Sequence, residues 1–268
     1  MTDVLYEKRD GIAYVTFNRP EKMNSWTANS FVLLAEAWED IQADDSVRVA
    51  ILTGTGEDAF SSGGDLGSLI PLFTGAKQAE TAEEKKFMND LSYTDRALLK
   101  NVPLYKPVIA AINGLALGGG FEIIQATDIR IAASHATFAL PEVKRGIVPG
   151  GGSMTRLIRQ IGYAPAMEIM LTGDPINAEQ ALRLGIINKI VESSELLACA
   201  ETTARRLCEN GPLSMQAIKE SAIRSSGTTM EEAFLIEREL SGKVMASEDA
   251  VEGPRAFKEK RKAEFKGR

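Results

Sequence analysis

The chain has 268 residues with two Cys, one His, and 37 acidic against 31 basic residues, a net charge of −6. Those counts exclude a disulfide scaffold and a Cys/His zinc centre, confine histidine chemistry to His135, and argue against generic nucleic-acid binding, which rests on a basic face. The longest charge-free apolar stretch, residues 107–121, carries four glycines and falls short of the ~20 residues of a membrane span; with a charged beginning, MTDVLYEKRDG, and two isolated thiols, the expectation is a soluble cytoplasmic protein.

Residues 4–6 and 12–17 read as a hairpin, the second strand ended by Asn18-Arg19-Pro20. A helix follows, with Phe31, Leu34, Ala35, Trp38 and Ile41 spaced as one buried face. Residues 47–54 form a short β-branched run closed by Gly-Thr-Gly, which suits a strand covered on both sides. Residues 66–106 are polar to helical, with an apolar stripe through Phe87, Leu91 and Leu98. Residues 107–113, a glycine turn, a helix from about Gly119 and residues 128–133 then give the strand–helix–strand rhythm of a parallel sheet, and residues 137–140 add a short strand. After residue 191 only helices are predicted: 196–208, 212–224, 230–245 and a last one from 249. The boundary therefore falls between a core, 1–191, and a helical region, 192–268. The final residues 253–268 hold seven basic and two acidic side chains, a net of +5 in an acidic protein. This is either a solvated helix end or a contact for an anionic ligand or partner. Phe257 and Phe265, eight apart, read as one docking face.

Glycines concentrate where strands are expected to end, at Gly54 and Gly56, Gly63 and Gly64, Gly114, residues 118–120, and residues 150–152. None is a Walker loop or a dinucleotide fingerprint, so phosphoryl and hydride transfer lose their usual support. A helix starting near Gly119 would aim unpaired N–H groups across the loop, and a second N–H from the Gly63-Gly64 loop would complete a two-donor oxyanion hole. Two carboxylates sit in apolar surroundings, Glu122 in GGFEII and Glu142 in FALPEV. Acids are seldom buried unpaired; taken singly, each also fits an ordinary helix position, Glu142 as a first-turn acid after Pro141.

The stretches NRPEKMNS, AFSSGGDL, KPVIAAINGLALGGGFE, TDIRIA, ATFALPEVKRGIVPGGGSMTRL and EGPRAFKEKR, in that order and with Glu122 and Glu142 twenty residues apart, resemble the crotonase superfamily over nearly the whole length, and enoyl-CoA hydratases in particular. The resemblance implies an α/β fold: a spiral core of ββα turns with a C-terminal helical region used for trimerisation. It also implies that Gly64 and Gly119 donate N–H groups to a thioester oxygen, that Glu122 and Glu142 are the catalytic carboxylates, and that the Gly150 amide helps hold the water. Coenzyme A, carried by the substrate, would lie against the Lys22-Met23-Asn24-Ser25 loop and the backbone of Ser62, Gly63, Gly64, Asp65 and Leu66, with Phe257, Lys258 and Lys260 reaching its phosphates. No separate cofactor or metal is implied, and the assembly would be a homotrimer or a dimer of trimers.

Two departures stand out. Many hydratases have Ala at the place of Gly64 and a Lys at that of Gly67, and residues 66–106, the expected acyl-pocket wall, are longer than in short-chain members. The competing readings are an enoyl-CoA isomerase or a dehydratase of a functionalised acyl-CoA, such as a carnitinyl or methylthio substrate, on the same scaffold, and a non-catalytic binding protein. A serine hydrolase has no Gly-x-Ser-x-Gly elbow to support it, and His135 reads as a turn residue.

Overall fold

The computed structural model describes residues 2–100 and 102–268. The hairpin forms as expected: β1 (Val4–Arg9) pairs antiparallel with β2 (Ile12–Phe17) across a tight turn in which Asp10 and Gly11 both take positive φ. Helix α1 (Ala28–Ala43) starts at a capping box on Thr27 and buries the predicted face through Phe31, Leu34, Ala35, Trp38 and Ile41.

From there the chain repeats one unit. A strand of a large sheet leads into a strand of a small sheet and then into helix: β3 (Val49–Gly54) and β4 (Ala59–Ser61) into α2 (Leu69–Thr74), α3 (Ala82–Asn89) and α4 (Ser92–Ala97); β5 (Val108–Ile112) and β6 (Leu115–Leu117) into α5 (Gly119–Ile124); β7 (Ile129–Ala133) and β8 (Thr137–Ala139) into a 3-10 turn (Pro141–Arg145), α6 (Ser153–Ile161) and α7 (Tyr163–Thr172). After β9 (Ile176–Asn177) and α8 (Ala178–Arg183), β10 (Lys189–Val191) closes the large sheet, whose order is β1-β2-β3-β5-β7-β10, all parallel beyond the hairpin. The small sheet runs β4-β6-β8-β9. Asn113 ties the two together: it accepts from the Gly54 amide at 3.1 Å and donates to the carbonyls of Gly56 and Ala59.

Four helices follow, α9 (Leu196–Cys208), α10 (Pro212–Arg224), α11 (Met230–Met245) and α12 (Glu248–Glu259). Helix α9 lays Leu196, Ala200 and Ala204 on the face of the large sheet formed by Ile12, Tyr14, Val49, Ile51, Ile109 and Ala111, while the main core fills the other face. This explains the uninterrupted apolar runs of β3 and β5: both faces are buried.

Two expectations change. The stripe through Phe87, Leu91 and Leu98 is not one helix face, because the chain breaks at Asp90 between α3 and α4, leaving Phe87 buried and Leu91 exposed. Phe257 and Phe265 share no face either: α12 stops at Glu259 where Lys260 turns left-handed, and the tail doubles back so that the Phe265 ring lies beside Gly211 and Gly253. The basic tail is also largely neutralised within the chain. Arg255 and Arg261 pair with Glu252, Lys262 with Glu209, and Lys266 and Arg268 with Glu248. Among the described residues, Lys258 and Lys260 alone of its seven cations lack a carboxylate partner.

Candidate active site

The glycine turns meet at the C-terminal ends of β4, β6 and β8. The loop after β4 turns through Gly63 at φ +80, so close to the start of α5 that a methyl group on Gly63 would lie 2.8 Å from the Gly119 nitrogen; only glycine permits both the backbone angle and the approach. Trp26 links the two donors. It pairs with Gly64 in an isolated parallel bridge, its amide donating to the Gly63 carbonyl and its carbonyl accepting from Asp65. Its ring lies against Gly119, where a methyl group would sit 2.8 Å from Cζ3. Neither the Gly64 nor the Gly119 amide has a hydrogen-bond acceptor among the described residues, Gly119 because it opens a helix.

The two acids flank that helix start. The Glu142 carboxylate, from the 3-10 turn after β8, rests on Gly118, where a methyl group would fall 2.6 Å from Oε1; Gly118 also has φ +51. The Glu142 Oε2 is buried with no partner among the described residues. Glu122, in the first turn of α5, is 4% exposed. Its Oε1 accepts from the Ser153 amide at the start of α6, at 3.2 Å, and Oε2 lies against Gly151.

Their electrostatics differ. Burial, and then the charge of Glu122, push the Glu142 carboxyl up to about 7. Burial raises the Glu122 carboxyl as well, and the backbone of Ser153 and Gly151 and the Lys100 charge offset only part of that rise. The pair therefore suits one protonated and one ionised member near neutrality.

Gly64, Gly119 and Glu142 open on a cleft of about 510 Å³ that also carries Lys22, Ser62, Asp65 and Leu66. Burial pushes the Asp65 carboxyl up, yet the Gly67 amide and Arg19 hold it below the usual range. A larger cavity of about 890 Å³, between residues 102–105, α6 and α10, is lined by neither acid.

Other sequence-selected residues lie differently. Asn24 is corrected from a coenzyme contact to a loop brace: it is 1% exposed, donates to the carbonyls of Thr55 and Ala59 and accepts from the Arg19 amide. Phe257 and Lys260 do not line the cleft of their own chain; Phe257 is 86% exposed. Gly150 is exposed, its carbonyl accepting from Lys100. His135 occupies a turn, with Nε2 2.9 Å from the Glu57 carbonyl. The sequence reading missed Trp26, whose only signal was a bulky aromatic directly after the NRPEKMNS loop, and Lys100 and Arg156, whose contacts to backbone carbonyls no pattern announces.

Residues 7–268 match the family model described as enoyl-CoA hydratase/isomerase. The chain belongs to this family. It is 38% identical to an (E)-benzylidenesuccinyl-CoA hydratase from Thauera aromatica, over 98% of this chain and 99% of that one, and 37% identical to a short-chain-enoyl-CoA hydratase from Clostridium acetobutylicum, over 100% and 99%. Among solved structures, an enoyl-CoA hydratase from Bacillus anthracis superposes with a TM-score of 0.89 at 32% identity, covering 99% of this chain and 100% of that one. The crotonase fold expected from the motifs is thus the fold of the chain. No described helix is long and apolar enough to cross a membrane.

Proposed function

We propose that the protein is an enoyl-CoA hydratase, adding water reversibly across the 2,3 double bond of an enoyl-CoA thioester to give the 3-hydroxyacyl-CoA. The observation that carries this is the placement of two unlike carboxyls on either side of a helix start whose first amide is unspent. The thioester oxygen would accept from the Gly64 and Gly119 amides, which stabilise enolate-like charge without titrating. Glu122, the better supported anion, takes a proton from water as its oxygen bonds to C3; Glu142, protonated near neutrality, delivers its proton to C2. Gly150 is assigned to the water. No metal or separate cofactor enters this scheme, since coenzyme A arrives with the substrate.

The coenzyme is assigned to Lys22, Ser62, Asp65 and Leu66 at the cleft and to Gly63 between them. Phe257 and Lys260, which do not line the cleft of their own chain, fit this role across an interface, which agrees with a homotrimer or a dimer of trimers. The exposed apolar side chains of the C-terminal helices, Ile218, Met230, Phe234, Leu235, Met245 and Phe257, support such an assembly. Two free thiols, Cys199 and Cys208, suit a cytoplasmic setting.

The test is consumption of 2-enoyl-CoA thioesters with formation of the 3-hydroxy product, alongside 3-enoyl isomerisation. Isomerisation without hydration overturns the assignment. An isomerase needs one base, and the retention of both acids favours hydration. A functionalised acyl group is the second reading, favoured by the similarity to the benzylidenesuccinyl-CoA hydratase and checked by a panel of acyl thioesters differing in length and branching.

A further inference from the structure

Above Glu122, two cations cross between the segment leaving α4 and the glycine loop before α6. Arg156, on α6, donates to the carbonyls of Leu98 and Leu99 at 3.0 and 2.6 Å. Its guanidinium covers Gly152, where a methyl group would fall 2.9 Å from Nη1. In the opposite direction, Lys100 donates to the Gly150 carbonyl at 3.2 Å and pairs with Asp95 at 2.8 Å. Between them Leu99 holds φ +52, a left-handed angle that a leucine adopts only when its surroundings impose it. The Leu98 side chain is pressed toward Gly151, 3.0 Å from where a methyl group there would lie, and Gly151 is the residue against Glu122 Oε2.

We propose that Lys100 and Arg156 are positioning residues of the site: they clamp residues 98–100 onto residues 150–152, and so fix Glu122 as the charged member of the pair and set the orientation of the Gly150 peptide. The clamp is built for this. Apart from the Lys100–Asp95 ion pair, its contacts are to backbone carbonyls, so they fix chain geometry. Lys100 favours the ionised form of Glu122, and Glu122 in turn favours the charged form of Arg156 against its burial. The charged groups facing Glu122 are Glu142 from the 3-10 turn, Lys100 with its partner Asp95 from the end of α4, and Arg156 from α6. Glu142 opposes ionisation, and the two cations oppose Glu142. The kinetic part of the proposal rests on the hydratase reading; the ionisation part does not.

The test titrates the two glutamates directly in the full-length protein, by carbon NMR of carboxyl-labelled Glu assigned with Glu122→Gln and Glu142→Gln, alongside the pH profile of kcat/KM. Lys100→Met is expected to raise the lower apparent pKa of the pair by roughly half a unit, and to move the acid limb by the same amount, about a threefold loss there. Lys100→Arg restores both. Arg156→Lys keeps the charge but has no fork to hold two carbonyls, so it leaves the titration in place and lowers kcat about tenfold. If Lys100→Met lowers the plateau while both the titration and the limb stay where they are, Lys100 is only structural and the proposal fails. If the titration moves in a protein that hydrates no enoyl thioester, the clamp stands and the hydratase reading falls.

Discussion

The N-terminal ends of β3, β5 and β7 and the C-terminal ends of β4, β6 and β8 treat polar groups in opposite ways. At the first, Asp128 accepts from the Val108 amide and from Lys219, Lys106 donates to the Asp44 carbonyl, and Arg48 donates to the Phe265 carbonyl. Even the returning tail is tied down, the Lys266 and Gly267 amides donating to Asp249. At the second, two amides and a buried carboxylate oxygen have no partner among the described residues. An unpaired buried polar group costs about 1–3 kcal/mol, so the bare Glu142 oxygen beside two open amides marks this end as the one held for a ligand. That is where open parallel sheets place their sites.

The contrast can be broken most severely at the acids. Glu122→Gln and Glu142→Gln are each expected to reduce kcat by about 10³-fold or more while binding of an acyl-CoA, measured by calorimetry, stays within a few-fold; near-normal turnover in either would remove both acids from the mechanism. Next comes the donor pair. Gly63→Ala must leave its left-handed angle or push into the Gly119 amide, and should cost about 10²–10³ in kcat/KM, together with a lower Tm by calorimetry. The pH response is the third probe. With Glu142 raised to about 7 and acting as the proton donor, hydration falls as pH rises through 7. Its stability contribution has the opposite sense to a salt-bridged acid: the folded state keeps the proton while the unfolded state has lost it, so stability declines as pH climbs from about 4.5 to 7. Glu142→Gln therefore melts above the wild type at pH 8 and level with it at pH 4. A lower Tm at pH 8 would mean that the carboxylate is satisfied after all. The smallest effect belongs to the satisfied end: Glu252→Gln, which loses charge-assisted bonds to Arg255 and Arg261, lowers Tm by a few degrees and leaves kcat unchanged.

Periodicity located the elements well wherever local and tertiary demands coincide. The bounds of α9, α10 and α11 match those read from the sequence, and β3 and β5 were legible from their apolar runs. It misjudged the stripe through Phe87, Leu91 and Leu98, whose spacing continues across the helix break at Asp90, after which α4 packs on α1 with Trp38 Nε1 donating to the Ala97 carbonyl at 3.0 Å. The glycines and acids of the site were visible as residue types because each sits where a larger or neutral residue would serve ordinary folding better. What remained invisible was partnership. Nothing in KMNS distinguishes Lys22, at the cleft, from Asn24, turned inward, and no composition count reveals that the +5 tail is spent on Glu252, Glu209 and Glu248. Net charge described the tail, and only proximity described what was left of it.

Helix α9 carries a consequence for synthesis. The strands that it covers are made first, so until residues 196–208 have left the ribosome, Ile12, Tyr14, Val49, Ile51, Ile109 and Ala111 present a broad apolar sheet face with no cover. A nascent chain arrested before residue 196 would need a chaperone or aggregate, and the two acids and the amide donors, all made by residue 142, would wait for a helix that contributes nothing to their chemistry.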